Sequence, residues 1–184
     1  MKRLTLIIVI AVLLLPCLSG YEKISKRDAK IGWASAKRDF KYGQFDENLV
    51  TNLQTVLKYN PEFLQALKNL GDIYYQWSKD NFDEKLSYLE KAYKMYDLAL
   101  AVVALKPEDK KQAKTYLKIM QINASEFEVI ASDAKTKQRN CWILYFKEGQ
   151  TLFKSATADS PEGYDKSIAI FQKLHQIAPD SLKT

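Results

Sequence analysis

The sequence predicts an all-α protein, a solenoid of antiparallel helix pairs. Three observations carry that expectation. Apolar residues recur at steps of three and four along most of the chain from Asp28 onward. Leu49, Leu53, Val56 and Leu57 form one such series, and Leu86, Leu89, Tyr93, Tyr96 and Leu100 another. That is the period of a helix with one buried face, and no segment sustains the alternation of a strand. The 184 residues include only 6 glycines and 5 prolines, too few for the turns of a β-sandwich or barrel. Finally, residues 33–40 align with residues 67–74 at an offset of 34, and self-similarity at a fixed period is the mark of stacked repeats.

The N-terminal segment stands apart from this pattern. Lys2 and Arg3 precede an apolar run over residues 4–15, and Pro16, Cys17, Leu18, Ser19 and Gly20 lead into polar sequence at Glu22. A basic start, a short apolar stretch and a small-residue exit is the layout of a secretory signal. The run is shorter than the roughly 20 apolar residues of a membrane-spanning helix, and it has no polar face to suit a surface helix of a globular core. The expected layout is therefore a signal over residues 1–20 and a helical repeat domain over residues 21–184. Cys17 sits where bacterial lipoproteins carry their lipidated cysteine. Leu14 matches the residue favoured upstream, whereas Leu15 and Pro16 depart from that pattern. Cleavage after Ser19 or Gly20 and an uncleaved anchor are the other two readings. Under lipidation or removal of Cys17, Cys141 is left without an intramolecular disulfide partner. It precedes the apolar run 142–146 and is expected to be a small buried residue.

The helical body is punctuated at residues 42–44, at Asn60-Pro61, at 79–81, at Lys106-Pro107, at 159–163 and at Pro179, the residue types that break helices. In the first unit Trp33, Ala36 and Phe40 mark the first helix, and Leu49, Leu53 and Val56 the second, closed by Pro61. Leu67, Leu70, Gly71 and Tyr74 open the second unit. Its strict period would place a closing proline at Met95, but the next is Pro107, so its helices are expected to be longer or its loop extended, with one long helix over residues 82–105. Residues 108–139 keep helical spacing at Tyr116, Leu117, Met120, Phe127 and Ile130 without a repeat signature, and are expected to form a degenerate unit. The last unit places Tyr145, Gly149 and Leu152 on its first helix. Tyr164, Ser167, Phe171, Leu174 and Ile177 fall on its second, before Pro179.

These residues resemble the tetratricopeptide repeat (TPR). The first helix of that repeat carries a large residue, Leu-Gly and then Tyr at the spacing seen in Leu67, Leu70, Gly71 and Tyr74. Its second helix carries small, aromatic and small residues where this chain has Ser167, Phe171 and Leu174. The resemblance covers most of residues 30–108 and 142–180. Leu49, Leu53 and Val56 depart from the repeat's usual Ala, aromatic and Ala. It implies that Gly71 lies where the two helices of a pair approach closely, that Ala36 and Ser167 serve the same packing, and that Trp33, Phe40, Tyr74 and Phe171 fill gaps between helices. It also implies a concave face lined by first helices, with Ala34, Arg38 and Lys41 in the first unit and Lys68, Asp72 and Tyr75 in the second. The Lys and Asn pair by which chaperone-binding members clamp a terminal carboxylate is missing, because Ala34 and Arg38 occupy those sites.

Composition narrows the function further. The chain has a single histidine, His175, and two cysteines, which argues against a His/Cys zinc site of about four ligands. No metal-loop, phosphate-loop or nucleophile-elbow motif is present, and His175 has no nucleophile placed beside it. No enzymatic activity and no cofactor are expected. Without Lys2 and Arg3 the balance is 26 basic against 22 acidic residues, or +4. The clusters Lys106, Lys110, Lys111, Lys114 and Lys135, Lys137, Arg139 are too sparse for a nucleic-acid footprint. Asn123-Ala124-Ser125 matches a glycosylation sequon, a three-residue match of little weight. Two expectations follow. One is a protein-interaction scaffold of the bacterial envelope, periplasmic and tied to a membrane only through an N-terminal lipid. Arg38, Lys41 and Lys68 would then meet acidic groups of a peptide or helix, and Tyr75 would supply apolar area. The other is a helical protein with an aromatic-lined pocket for a small molecule or lipid, like TPR proteins associated with exported-solute transport.

Overall fold

The computed structural model of the chain describes residues 24–157 and 161–178. Residues 1–20, where a secretory signal with Cys17 was expected, and Pro179 lie outside the described residues. Seven helices and no strand occur among them: α1 Lys26–Lys41, α2 Glu47–Tyr59, α3 Leu64–Asp80, α4 Lys85–Val103, α5 Lys110–Met120, α6 Ala124–Ser155 and α7 Glu162–Ile177.

The helix boundaries follow from local chemistry. Ser25 and Asp28 form a reciprocal capping box at the start of α1, and the side chains of Asp46 and Asp109 accept from the backbone N–H groups of Leu49 and Gln112. Each satisfies a donor that the first turn leaves open. Asn123 and Glu126 form a second capping box, so the sequon residue serves as the start of α6. Gly43, at φ 67°, takes the left-handed conformation that ends α1.

Packing joins the helices in order. α1 lies against α2, α3 against α4 and α6 against α7, while α2 meets α3 and α6 meets both α4 and α3. Consecutive helices that pack across short connections run antiparallel. The core is aliphatic around α2 and α3: Leu49, Leu53, Leu57, Leu64, Leu67, Leu70 and Ile73 are all but inaccessible to solvent, each contributing roughly 1.5–3 kcal/mol by burial.

One packing device recurs in two pairs. At Gly71 a Cβ would stand 2.6 Å from Cε1 of the Tyr96 ring, and at Gly149 it would stand 2.8 Å from Cε1 of Phe171. In both, a ring from the second helix lies on a bare stretch of the first. The ring comes four residues after a small buried residue, Ala92 in one pair and Ser167 in the other. The Ser167 hydroxyl donates to the Gly149 carbonyl at 2.9 Å. Small, ring and then apolar therefore fall at 92, 96 and 99 and at 167, 171 and 174, the spacing that Leu49, Leu53 and Val56 hold in α2.

One open alternative is resolved and two expectations change. The second pair is lengthened mainly in its helices. Residues 108–139 are not a unit of their own. α5 is a short separate helix whose Tyr116 hydroxyl donates to the Val102 carbonyl at 2.7 Å, and the remainder is the first half of α6. That helix runs unbroken to Ser155 because no proline interrupts it. Trp33 does pack against the core, edge-on to Phe63 at 4.8 Å, but it is only partly buried, so truncating it removes less buried area than a fully filled inter-helix gap would.

Candidate partner-binding surface

Side chains on α1, α3 and α6 that point away from their pairing partners sort into a tied set and a free set. The tied set is a network of four charges between α3 and α6. The Lys68 ammonium lies 2.6 Å from Asp72 and 2.9 Å from Asp133, and the Lys137 ammonium lies 2.8 Å from Asp72 and 3.0 Å from Asp133. Asp72 also accepts from the Tyr96 hydroxyl at 2.8 Å. Its side chain is 15% exposed and that of Lys68 20%, so water screens these pairs less than surface ones. Lys68 and Asp72 were expected on the concave face, with Lys68 meeting acidic groups of a partner; here they form the seam between the second and third pairs. Asp133 and Lys137 were not among the expected site residues. The signal for them was an acid and a base four apart on one helix, the mirror of Lys68 and Asp72.

The network makes stability depend on pH. Burial favours protonation of Asp133, but hydrogen bonds and charge from Lys68 and Lys137 outweigh it and hold the carboxyl below its ordinary 3.8. Burial also opposes the charge of Lys137, and Asp72, then Asp133, outweigh it and hold the ammonium above its ordinary 10.5. A depressed carboxyl stabilises above its unfolded pKa, and that contribution is lost as pH falls through the folded value. A raised ammonium stabilises below its unfolded pKa, and its contribution is lost as pH climbs through the folded value. The melting temperature is therefore expected to lose the network's share below about pH 4 and above about pH 10.5. Lys137→Met should differ from the parent chain most between those limits. A difference constant from pH 3 to pH 11 would show that the network contributes nothing.

The free set lies mainly on α1. Arg38 has 67% of its side chain exposed, and its guanidinium pairs with Asp39 at 3.3 Å and donates to Ser35 at 3.2 Å, both on α1. Lys41 is exposed, with its ammonium 6.0 Å from the Tyr42 ring. Tyr75 is half-buried on α3, with the Lys79 ammonium 4.5 Å over its ring; burial pushes its phenol up. Among the described residues Arg38 and Lys41 thus have no ion-pair partner on another helix, and Tyr75 is drawn partly into the α3–α6 seam. Cys141 is buried on α6 and its thiol is pushed up to about 12, chiefly by burial, which leaves it the small inert residue expected. His175 is exposed in the last turn of α7.

Beside the free set a cleft of about 190 Å³ opens at the N-terminal half of α1. Its apolar wall is Trp33, Val56, Tyr59 and Phe63, and Ala34, one turn before Arg38, lies at its edge. Lys26, Lys30 and Lys37 line it as well, along with Gln121 from the α5–α6 joint. The Lys37 ammonium hangs 5.7 Å from the Trp33 ring. Sequence reading missed this cleft because Phe63 and Gln121 reach it from other elements. The spacing of Lys26, Lys30, Trp33 and Lys37 along one stripe of α1 was the available signal.

Among the described residues no group of three or more His, Cys, Asp or Glu side chains could hold a metal ion, and no helix is long and apolar enough to cross a membrane. Comparison with family models, curated proteins and solved structures finds no match to this chain.

Proposed function

We propose that the protein is a non-catalytic interaction scaffold of the bacterial cell envelope, an exported TPR-like array that holds a peptide or helix on the surface formed by its first helices. One observation carries the reading. The first helices α3 and α6 are tied side by side by the Lys68–Asp72–Lys137–Asp133 network, while among the described residues the cations of α1 form no ion pair with another helix. A rigid platform with free Arg and Lys beside it suits recognition of acidic groups, and Arg is enriched in binding hot spots. The repeated contact of glycine with ring in the pairs α3/α4 and α6/α7 supports the TPR-like part of the reading. The basic and apolar start of the chain supports the exported part.

The test is capture of partners from bacterial envelopes by the parent chain and by the Arg38→Glu, Lys41→Glu double variant. The variant should lose captured partners while keeping its helicity; Lys41→Glu alone, at an exposed position, should also keep the melting temperature, whereas Arg38→Glu removes the ion-pair partner of the buried Asp39 and should lower it. Partners retained at normal affinity would place recognition elsewhere. The aromatic cleft favours a second reading, a small-molecule site. Mass spectrometry of the purified protein separates the two, because a scaffold carries no stoichiometric bound organic molecule.

A further inference from the structure

The cleft beside α1 has a chemical character that narrows what can occupy it. Three of its lining residues, Lys26, Lys30 and Lys37, are cations, and among the described residues no acid lines it. Among the described residues none of the three makes an ion pair. By contrast Lys68, Lys85, Lys94, Lys106, Lys137 and Lys173 all find carboxylates. The field has a second source of the same sign. α3 begins at Leu64, just after Phe63 of the cleft wall, with no side-chain cap and no acid in its first turn, so its positive end lies at that wall, with Glu62 the nearest carboxylate before it in sequence.

The wall is of the opposite kind. Trp33 stands edge-on to Phe63, and Tyr59, still 46% exposed, extends the apolar surface to the rim. The volume is about 190 Å³. An apolar cavity of about 150 Å³ takes a benzene molecule, so this cleft suits one ring or one branched side chain and is too small for a long acyl chain. Apolar floor, cationic rim and single-residue size occur together in one place.

We infer that the cleft is a receptor for one bulky apolar side chain of an acidic peptide segment. That side chain lies on Trp33, Tyr59 and Phe63, and the flanking carboxylates meet Lys26, Lys30 and Lys37. The inference rests on the interaction reading and names the partner's chemistry: an extended or helical segment with one aromatic anchor between acidic residues. Such an arrangement divides the work. The anchor supplies affinity through desolvated area, and the charges set partner choice and association rate.

The experiment uses the full chain and fluorescein-labelled synthetic peptides followed by anisotropy. One peptide carries a tryptophan flanked on each side by two acidic residues. One comparator has alanine for tryptophan, and the other has lysines for the acids. The acidic tryptophan peptide is expected to bind at least about tenfold tighter than either comparator, and to weaken as salt is raised. Lys30→Glu with Lys37→Glu, both at exposed positions, should lower its affinity at least about tenfold with an unchanged melting curve. Equal binding of the acidic and basic peptides overturns the inference, whether or not the variant folds. So does sodium laurate displacing the labelled peptide at lower concentration than unlabelled peptide does, which would make the cleft a fatty-acid site. Carrying the same variant through envelope capture keeps the two readings apart. Partners retained by a variant that has lost the peptide leave the scaffold standing and remove the cleft from it. No capture by the parent chain ends the scaffold reading, and the peptide result still decides the cleft.

Discussion

Tyr96→Ala is expected to lower the stability of the chain by about 4 kcal/mol, the range found when a fully buried aromatic is cut to alanine. For a chain of this size that is a fall of roughly 10 °C or more in melting temperature. The ring is wholly buried and lies on Gly71, so its removal leaves a void that helix backbone on one side cannot fill. The lost hydroxyl contributes less. Its acceptor Asp72 keeps Lys68 and Lys137 as partners, so no carboxylate is orphaned. Tyr96→Phe, which keeps the ring and deletes the hydroxyl, should therefore cost only about 1 kcal/mol. Thermal unfolding followed by circular dichroism reads both. A Tyr96→Ala shift no larger than that of Tyr96→Phe would mean the ring does not hold α3 and α4 together.

Gly71→Leu tests the same contact from the other helix. A leucine is a better helix former than glycine by about 0.8 kcal/mol, so an unhindered site would be stabilised. Here the first added carbon already stands 2.6 Å from the Tyr96 ring, and a buried ring cannot swing aside. Overpacking is expected to win, with a net loss of about 3 kcal/mol. Combined with Tyr96→Ala the loss should fall well short of the sum, because the small side chain vacates the space that leucine needs. Gly149→Leu meets Phe171 at 2.8 Å, but Phe171 is only half-buried and has room to move, so its effect should be the smaller of the two. A stabilised Gly71→Leu chain would show that α3 and α4 do not approach each other at this residue.

Much of this packing was legible in the sequence. Leu49, Leu53 and Val56 announce the buried stripe of α2, because helical period acts locally, and the close approach at Gly71 is what the resemblance to the tetratricopeptide repeat implies. The partner of Gly71 was not legible. Ala92, Tyr96 and Ala99 repeat the spacing of Ser167, Phe171 and Leu174, but α3 and α4 are longer than a 34-residue unit allows, and a fixed period looks for them too early. The ion network escaped for a different reason. Lys137 reaches Asp72 across 65 residues of sequence, and nothing on α3 alone distinguishes a tied Lys68 from a free one. α6 was divided in two because Gly149 and the repeat at Tyr145 suggested a fresh start, whereas a capped first turn at Asn123 and the absence of proline carry the helix through. The candidate surface follows the same rule. Arg38 and Lys41, whose surroundings lie within a few residues, are exposed on α1. The cleft, assembled from α1, α2, Phe63 and Gln121, was beyond a reading made along the chain.

The account centres on a surface, so the most direct measurement asks which residues touch a partner in the cell. A photo-crosslinking amino acid placed singly at Arg38 and at Lys41, with Lys111 and Ile168 as exposed positions away from that surface, would be activated in living bacteria and the adducts resolved by mass. The account predicts a discrete adduct to an envelope protein from positions 38 and 41 and none from 111 and 168. Adducts from 111 or 168 with none from 38 and 41 would contradict it.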